Sequence, residues 1–330
     1  MKEILNHLFE YKTLSKQEAR EILTRLARGE YNSSQMAAFI TVYLMRNITV
    51  QELEGFRDAM LELCVPVDFE GFETIDLCGT GGDGKNTFNI STLASFVAAG
   101  AGVKVAKHGN YGVSSVSGSS NVLEYFGLKF TNNTDLLKKQ MDAANICFLH
   151  APLFHPAMKN VGPVRKELGV KTFFNMLGPM VNPARPQNQM VGVFSLELQR
   201  LYGYLYQKTG KTFAIVHALD GYDEVSLTGE FKIVTQEQEG VYSPAELGLP
   251  EVLPTDIFGG NSVEDAATIF RNVLNGKGTR SQQDVVLANA ALGIHCYLKK
   301  DLVESVALAR ESLESGAARQ KFEALLRANG

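Results

Sequence analysis

The sequence predicts an α/β protein, with a small N-terminal helical domain and a larger α/β domain whose mostly parallel central sheet is flanked by helices. Three observations carry that prediction. Helical periodicity alone fills residues 1–65, short β-rich runs alternate with helical segments from residue 74, and glycine-rich loops follow two of those runs. A length of 330 residues suffices for one large domain or two unequal ones. With 45% hydrophobic and 21% charged residues and a net charge of −4, the composition is that of a soluble globular protein. A slightly acidic chain without a basic run is a poor candidate for sequence-independent nucleic-acid binding.

The N-terminal MKEILNHLFEYK is amphipathic and lacks the apolar core and cleavage site of a signal peptide. Apolar residues at three- and four-residue spacing (Ile4, Leu5, Leu8 and Phe9, then Ile22, Leu23 and Leu26) belong to a set of four helices in residues 1–65. Ser15-x-x-Glu18 and Thr49-x-x-Glu52 are capping boxes, in which hydroxyl and carboxylate reciprocally satisfy free N–H groups at a helix start. Ser33 or Ser34 is the expected cap of the third helix. Cys64-Val-Pro-Val-Asp then breaks the pattern as a linker. The most apolar run, MAAFITVYLM, is far shorter than the ~20 residues of a bilayer span. Cys64, Cys78, Cys147 and Cys296 show neither CxxC nor zinc spacing, as expected of reduced thiols in a cytoplasmic protein.

Beyond residue 74, TIDLC, VKVAKH, NICFL, QMVGVFS and TFAIVHA read as buried strands. Helical candidates such as STLASFVAAGAG, SSNVLEYFG and LELQRLYGYLYQK separate them, so ligands are expected at the carboxyl ends of the strands. The last 70 residues read as helical. Residues 163–189, PVRKELGVKTFFNMLGPMVNPARPQNQ, start helical and turn rich in proline and asparagine. The expected division is therefore a helical domain over 1–65, completed by part of 163–189, and an α/β domain over 74–330.

The loop DLCGTGGDGKNTFNIS raises the question of which anion it holds. A Walker A loop needs Ser or Thr after its lysine, to ligate magnesium, and a helix starting there. Here Asn86 follows Lys85 and TFNI intervenes, so an ATPase reading is weak. Glycines after a strand still gather backbone N–H groups on an anion, and a helix N-terminus adds partial positive charge. A second loop, KHGNYGVSSVSGSS, offers one lysine among many serines, which suits a polyanion held by neutral donors. In GYDEVSL, the adjacent Asp223 and Glu224 are hard ligands suited to magnesium on a phosphorylated substrate. Arg165 could grip a carboxylate with its planar fork. His155 reads either as a core histidine or as a polar wall of the same pocket, the core reading being slightly favoured.

GTGGD (79–83), NIST (89–92), KHGN (107–110), FHPAMK (154–159), PVRKELG (163–169), FNMLGPMVNP (174–183) and the pair Asp223–Glu224 resemble the anthranilate phosphoribosyltransferases over essentially the whole chain. The resemblance implies transfer of a phosphoribosyl group from phosphoribosyl pyrophosphate to anthranilate, in tryptophan biosynthesis. It also implies a helical domain joined by hinges to the α/β domain, and homodimers formed through the helical domain. By the same resemblance, phosphoribosyl pyrophosphate would meet Gly79, Gly82, Asp83, Thr87, Asn89, Ile90, Ser91 and Thr92. From the second loop it would meet Lys107, His108, Gly109, Asn110, Ser114, Ser115 and Ser119. Magnesium (Mg2+) would sit on Ser91, Asp223 and Glu224, and anthranilate against Gly79, Asn110 and Arg165. No general base is implied. A glutamine amidotransferase, fused or separate, is the partner to look for, and none lies in these residues.

The family often carries a basic residue after KHGN and a lysine between the later serines, where this chain has Tyr111 and Val116. Lys107 is therefore the expected main cation of the second loop. Pyrimidine nucleoside phosphorylases share the fold and similar glycine loops, but would not need the Asp223–Glu224 pair. A non-catalytic relative binding nucleic acid is opposed by the net charge of −4.

Overall fold

The computed structural model describes residues 1–112 and 115–328. Four helices come first: α1 (Lys2–Phe9), α2 (Lys16–Ala27), α3 (Ser33–Met45) and α4 (Val50–Leu63). Alternation follows with β1 (Ile75–Gly79), α5 (Ile90–Gly100), β2 (Val105–Gly109), α6 (Ser119–Tyr125), α7 (Thr134–Ala144) and β3 (Ile146–His150). Short helices α8 (Ala151–Phe154) and α9 (Gly162–Leu168) precede β4 (Asn188–Gly192), α10 (Leu196–Tyr206) and β5 (Thr212–Ala218). The chain ends with β6 (Phe231–Thr235), β7 (Glu239–Tyr242), α11 (Val263–Leu274), α12 (Arg280–Leu298), α13 (Leu302–Glu314) and α14 (Ala317–Arg327).

Two compact units result, the first made of Met1–Pro66 with Pro152–Pro183, the second of Val67–Ala151 with Ala184–Gly330. The segment that joins the helical unit thus starts at Pro152, ahead of residue 163 where its sequence becomes unusual, and ends at Pro183. In the first unit both expected capping boxes form, at Ser15 with Glu18 and at Thr49 with Glu52. The cap of α3 is Asn32, not Ser33 or Ser34. Its side chain accepts the Gln35 N–H at 2.9 Å while Gln35 reaches back to the Asn32 N–H, and both serines lie inside the helix. Phe39, Tyr43 and Phe56 form the aromatic core, and Phe173 of the returning segment stacks on Phe56 at 4.6 Å between ring centroids. Glu52 is fully buried, with Arg46 pairing its carboxylate and the Leu14 N–H donating to it at 3.0 Å.

The second unit carries one seven-stranded sheet in the order β3-β2-β1-β4-β5-β6-β7. Strands β1 to β5 are parallel, and β6 and β7 add an antiparallel edge. All five strands read from the sequence are present; the edge pair was not among them. Because the chain runs from β1 outward through β2 and β3 and then returns to β4 beside β1, the sheet has its topological switch point between β1 and β4. That crevice, outside the carboxyl ends, is where open α/β sheets bind ligands.

Candidate active site

At the switch point the carboxyl ends of β1 and β4 are both glycine, and Gly79 and Gly192 are register partners. Their bareness has a purpose. A Cβ on Gly79 would lie 2.4 Å from Asp223 Oδ2, and one on Gly192 would lie 1.5 Å from the Asp223 carbonyl oxygen. The two glycines open the space into which the loop after β5 lowers Asp223 and Glu224. Asn289, buried on α12, fixes that loop: its amide oxygen accepts the Val225 N–H at 3.0 Å and its amide nitrogen donates to the Val225 carbonyl at 2.9 Å.

Both carboxylates are buried and turned toward the first glycine loop. Asp223 Oδ2 accepts the Gly81 N–H at 2.7 Å. Glu224 accepts the Thr87 hydroxyl at 3.1 Å and the Ser91 N–H, in the first turn of α5, at 3.3 Å. Burial, aided by the charge of Asp83, pushes Asp223 up to about 7; burial and Asp223 together hold Glu224 well above the usual carboxylate range. Closely placed anions desolvated in this way are stabilised by a hard cation. Among the described residues no group of three or more His, Cys, Asp and Glu side chains is arranged to hold a metal ion by itself. A magnesium ion here would complete its oxygen shell from substrate phosphates and water, its ordinary habit. The residues present fit that ion.

The second loop joins the first at two points. Asn89, at the start of α5, donates from its amide to the Ser117 carbonyl at 2.9 Å, and the Val116 N–H donates to Asn86 Oδ1 at 3.4 Å. Asn89 does not cap α5 through its side chain, and its buried Oδ1 has no hydrogen-bond partner among the described residues. The Ser117 hydroxyl is buried in the same condition. Such orphans at an anion loop are what a polar ligand would satisfy. Asn86 also donates to the Gly260 carbonyl at 2.8 Å, so the residue that spoils the Walker pattern ties the loop to the segment before α11.

Lys107 departs from the expectation of a cation free to grip phosphate. Its side chain is buried in β2 and its ammonium donates to the Leu77 carbonyl at 2.5 Å. Burial lowers its pKa while the charges of Asp76, Cys78 and Glu224 act to raise it. Its ammonium is thus engaged by the backbone of β1. The Tyr111 hydroxyl donates to Glu124 at 3.2 Å.

Comparison with known proteins agrees with this geometry. Residues 71–319 match the glycosyl transferase family, a/b domain, and residues 2–64 match its helical bundle domain. An anthranilate phosphoribosyltransferase from Christiangramia forsetii is 60% identical over 325 residues, covering 98% of each chain. The chain belongs to the anthranilate phosphoribosyltransferase family. Among solved structures, the Thermus thermophilus anthranilate phosphoribosyltransferase superposes with a TM-score of 0.92 at 34% identity, covering 98% of each chain. The Saccharomyces cerevisiae enzyme, solved with PRPP and Mg, gives 0.91 at 27% identity, covering 98% of this chain and 96% of that one. It has also been solved with 4-fluoroanthranilate.

Of the residues that the resemblance to anthranilate phosphoribosyltransferases points to, Gly79, Gly82, Asp83, Thr87, Asn89, Ile90, Ser91 and Thr92 run from the end of β1 into the first turn of α5. Lys107, His108 and Gly109 end β2, Asn110 follows it, Ser115 lies ahead of α6 and Ser119 begins it; Ser114 lies outside the described residues. Arg165 belongs to the helical unit, on α9, half-buried. It lies 5.0 Å over the Phe174 ring and donates to Asn175 Oδ1 at 3.5 Å, and among the described residues no carboxylate pairs with it. His155 is buried in the same unit, and burial pushes it down to about 4, which makes it a neutral core histidine at pH 7. Gly192 and Asn289 are the site residues that pattern reading passed over. The glycine ending QMVG gave a faint signal, and Asn289 gave none; Asn86 was read only as the residue that breaks the Walker pattern.

Proposed function

We infer that this chain transfers the phosphoribosyl group of phosphoribosyl pyrophosphate to the amine of anthranilate, giving N-(5-phosphoribosyl)anthranilate and pyrophosphate in tryptophan biosynthesis. The observation that supports this most is the meeting of two glycine loops with a buried carboxylate pair at the β1/β4 switch point, a site able to take an anion together with its metal. Asp223 and Glu224, with Ser91 beside them, are the residues that would hold magnesium, which supplies positive charge to the departing pyrophosphate. The glycine loop and the N-terminus of α5 add fixed dipoles to that stabilisation.

The bond from the anomeric carbon to pyrophosphate breaks, the bond to the aniline nitrogen forms, and the amine proton leaves to solvent. The aniline nitrogen is a modest neutral nucleophile, so the chain's work is to favour departure and to orient the amine. Arg165 is the residue assigned to the anthranilate carboxylate. Its guanidinium, with no carboxylate partner among the described residues, can offer a planar two-point grip. The same reading makes the protein a cytoplasmic homodimer assembled through its helical unit.

The deciding assay measures pyrophosphate release from phosphoribosyl pyrophosphate. Release that requires both anthranilate and magnesium is expected. Phosphorolysis of a pyrimidine nucleoside, without that release, would place the chain with the phosphorylases instead.

A further inference from the structure

In the second loop Gly112 and Gly118 lie against each other. A Cβ on Gly118 would lie 2.3 Å from the Gly112 nitrogen, and one on Gly112 would lie 2.9 Å from the Gly118 nitrogen. Here two backbone N–H groups converge on one atom: Gly112 donates to Asn121 Oδ1 at 2.9 Å and Gly118 to the same oxygen at 3.0 Å. Two donors aimed at one atom require an acceptor, so the orientation of this amide is set by chemistry, and its oxygen has a lone pair for each.

Asn121 is itself held firmly. It lies in the first turn of α6, where the Ser120 N–H donates to the Asn110 carbonyl at 3.1 Å and the Ser119 hydroxyl to the same oxygen at 3.3 Å. The buried Ser120 hydroxyl is hydrogen-bonded to Nδ1 of His150, the last residue of β3, at 2.8 Å. The central sheet, through His150 and α6, thus fixes both ends of the serine loop.

We propose that Asn121 is a positioning residue for phosphate binding, stapling Gly112 to Gly118 so that the donors of Ser115, Ser117 and Ser119 beside them are arranged before substrate arrives. The proposal rests on the phosphoribosyltransferase reading for the identity of the anion. Without the staple, the loop must be ordered at the moment of binding, and that cost appears in the KM for phosphoribosyl pyrophosphate. Asn121 acts on the loop and not on the substrate.

The test compares Asn121→Ala with Asn121→Asp, which keeps an oxygen acceptor. Asn121→Ala should raise the KM for phosphoribosyl pyrophosphate about tenfold, the equivalent of two ordinary hydrogen bonds. It should leave kcat and the anthranilate KM within about twofold, the scatter expected of a change that spares both steps. Asn121→Asp should recover most of that loss. Amide hydrogen exchange at Gly112 and Gly118 should quicken in Asn121→Ala but not in Asn121→Asp, a readout independent of turnover. An unchanged KM in Asn121→Ala, unchanged exchange at the two glycines, or failure of Asn121→Asp to recover would overturn the staple. Wild-type protein that exchanges slowly at both glycines yet releases no pyrophosphate would overturn the functional reading and leave the staple standing.

Discussion

Asp223 and Glu224 are carboxylates whose native surroundings favour the proton, and that has consequences for stability. With folded pKa values raised above the unfolded ones of about 4, the native state keeps protons that the unfolded chain releases. Stability from these groups is therefore greatest near and below pH ~4 and declines as pH rises through about 7, where Asp223 ionises in the fold. In a chelator, the Tm of wild type should fall between pH 5 and 8 more steeply than that of the Asp223→Asn, Glu224→Gln double variant. Added magnesium should shrink the difference, since a bound cation favours the ionised carboxylates, and parallel slopes would refute the linkage. The same variant should lose turnover by at least about 100-fold, the upper end of losses seen even for partners one shell outside a metal. Lys107→Met makes a different prediction from that of a surface phosphate ligand. Removing a buried ammonium that serves the Leu77 carbonyl should lower stability by about 1–3 kcal/mol and also raise the KM for phosphoribosyl pyrophosphate. A KM effect with unchanged unfolding would return Lys107 to the role of a plain ligand.

Elements place these residues, and here the sequence was legible where local patterning and burial coincide. Strands β1 to β5 bury nearly every residue and so appear as apolar runs, whereas β7 is four residues of alternating exposure and leaves no such trace. Hydroxyl and carboxylate at the right spacing announced α2 and α4, but Asn32 competes locally with two serines for the start of α3, and only hydrogen-bond geometry separates them. The glycine loops and the Asp223–Glu224 pair were readable because their chemistry is unusual for a connection. Gly192 was not, since its role exists only once the loop after β5 lies against the end of β4. Gly192→Ala is accordingly the sharpest test of the element packing. Its Cβ would lie 1.5 Å from the Asp223 carbonyl, so the loop must move. Activity should fall by at least about tenfold, comparable to disturbing a metal's outer shell, while far-UV circular dichroism stays the same. Wild-type activity in Gly192→Ala would show that the carboxylate loop tolerates displacement and is not set by the glycine pair.

For the molecule as a whole, the proposed division of labour assigns the carboxylates and glycine loops to phosphoribosyl pyrophosphate and Arg165 to anthranilate. These residues belong to different units, each discontinuous in sequence. Steady-state kinetics with each substrate varied in turn test that division. Arg165→Ala should lower kcat/KM for anthranilate by roughly 1.5–3 kcal/mol, the range for a hydrogen bond to a charged group, and leave the KM for phosphoribosyl pyrophosphate nearly unchanged. If Arg165 instead served only a surface ion pair, worth ~0–1 kcal/mol, both parameters would stay put. Glu224→Gln should show the opposite selectivity. Combining Arg165→Ala with Glu224→Gln then gives a double-mutant cycle whose two losses add to within about 0.5 kcal/mol when each residue serves its own substrate. A large coupling energy would mean that one residue's work depends on the other, and the separation of the two substrate roles would have to be abandoned. Equal damage to both substrates by Arg165→Ala alone would point to a disturbed helical unit, which a melting curve of that variant would reveal.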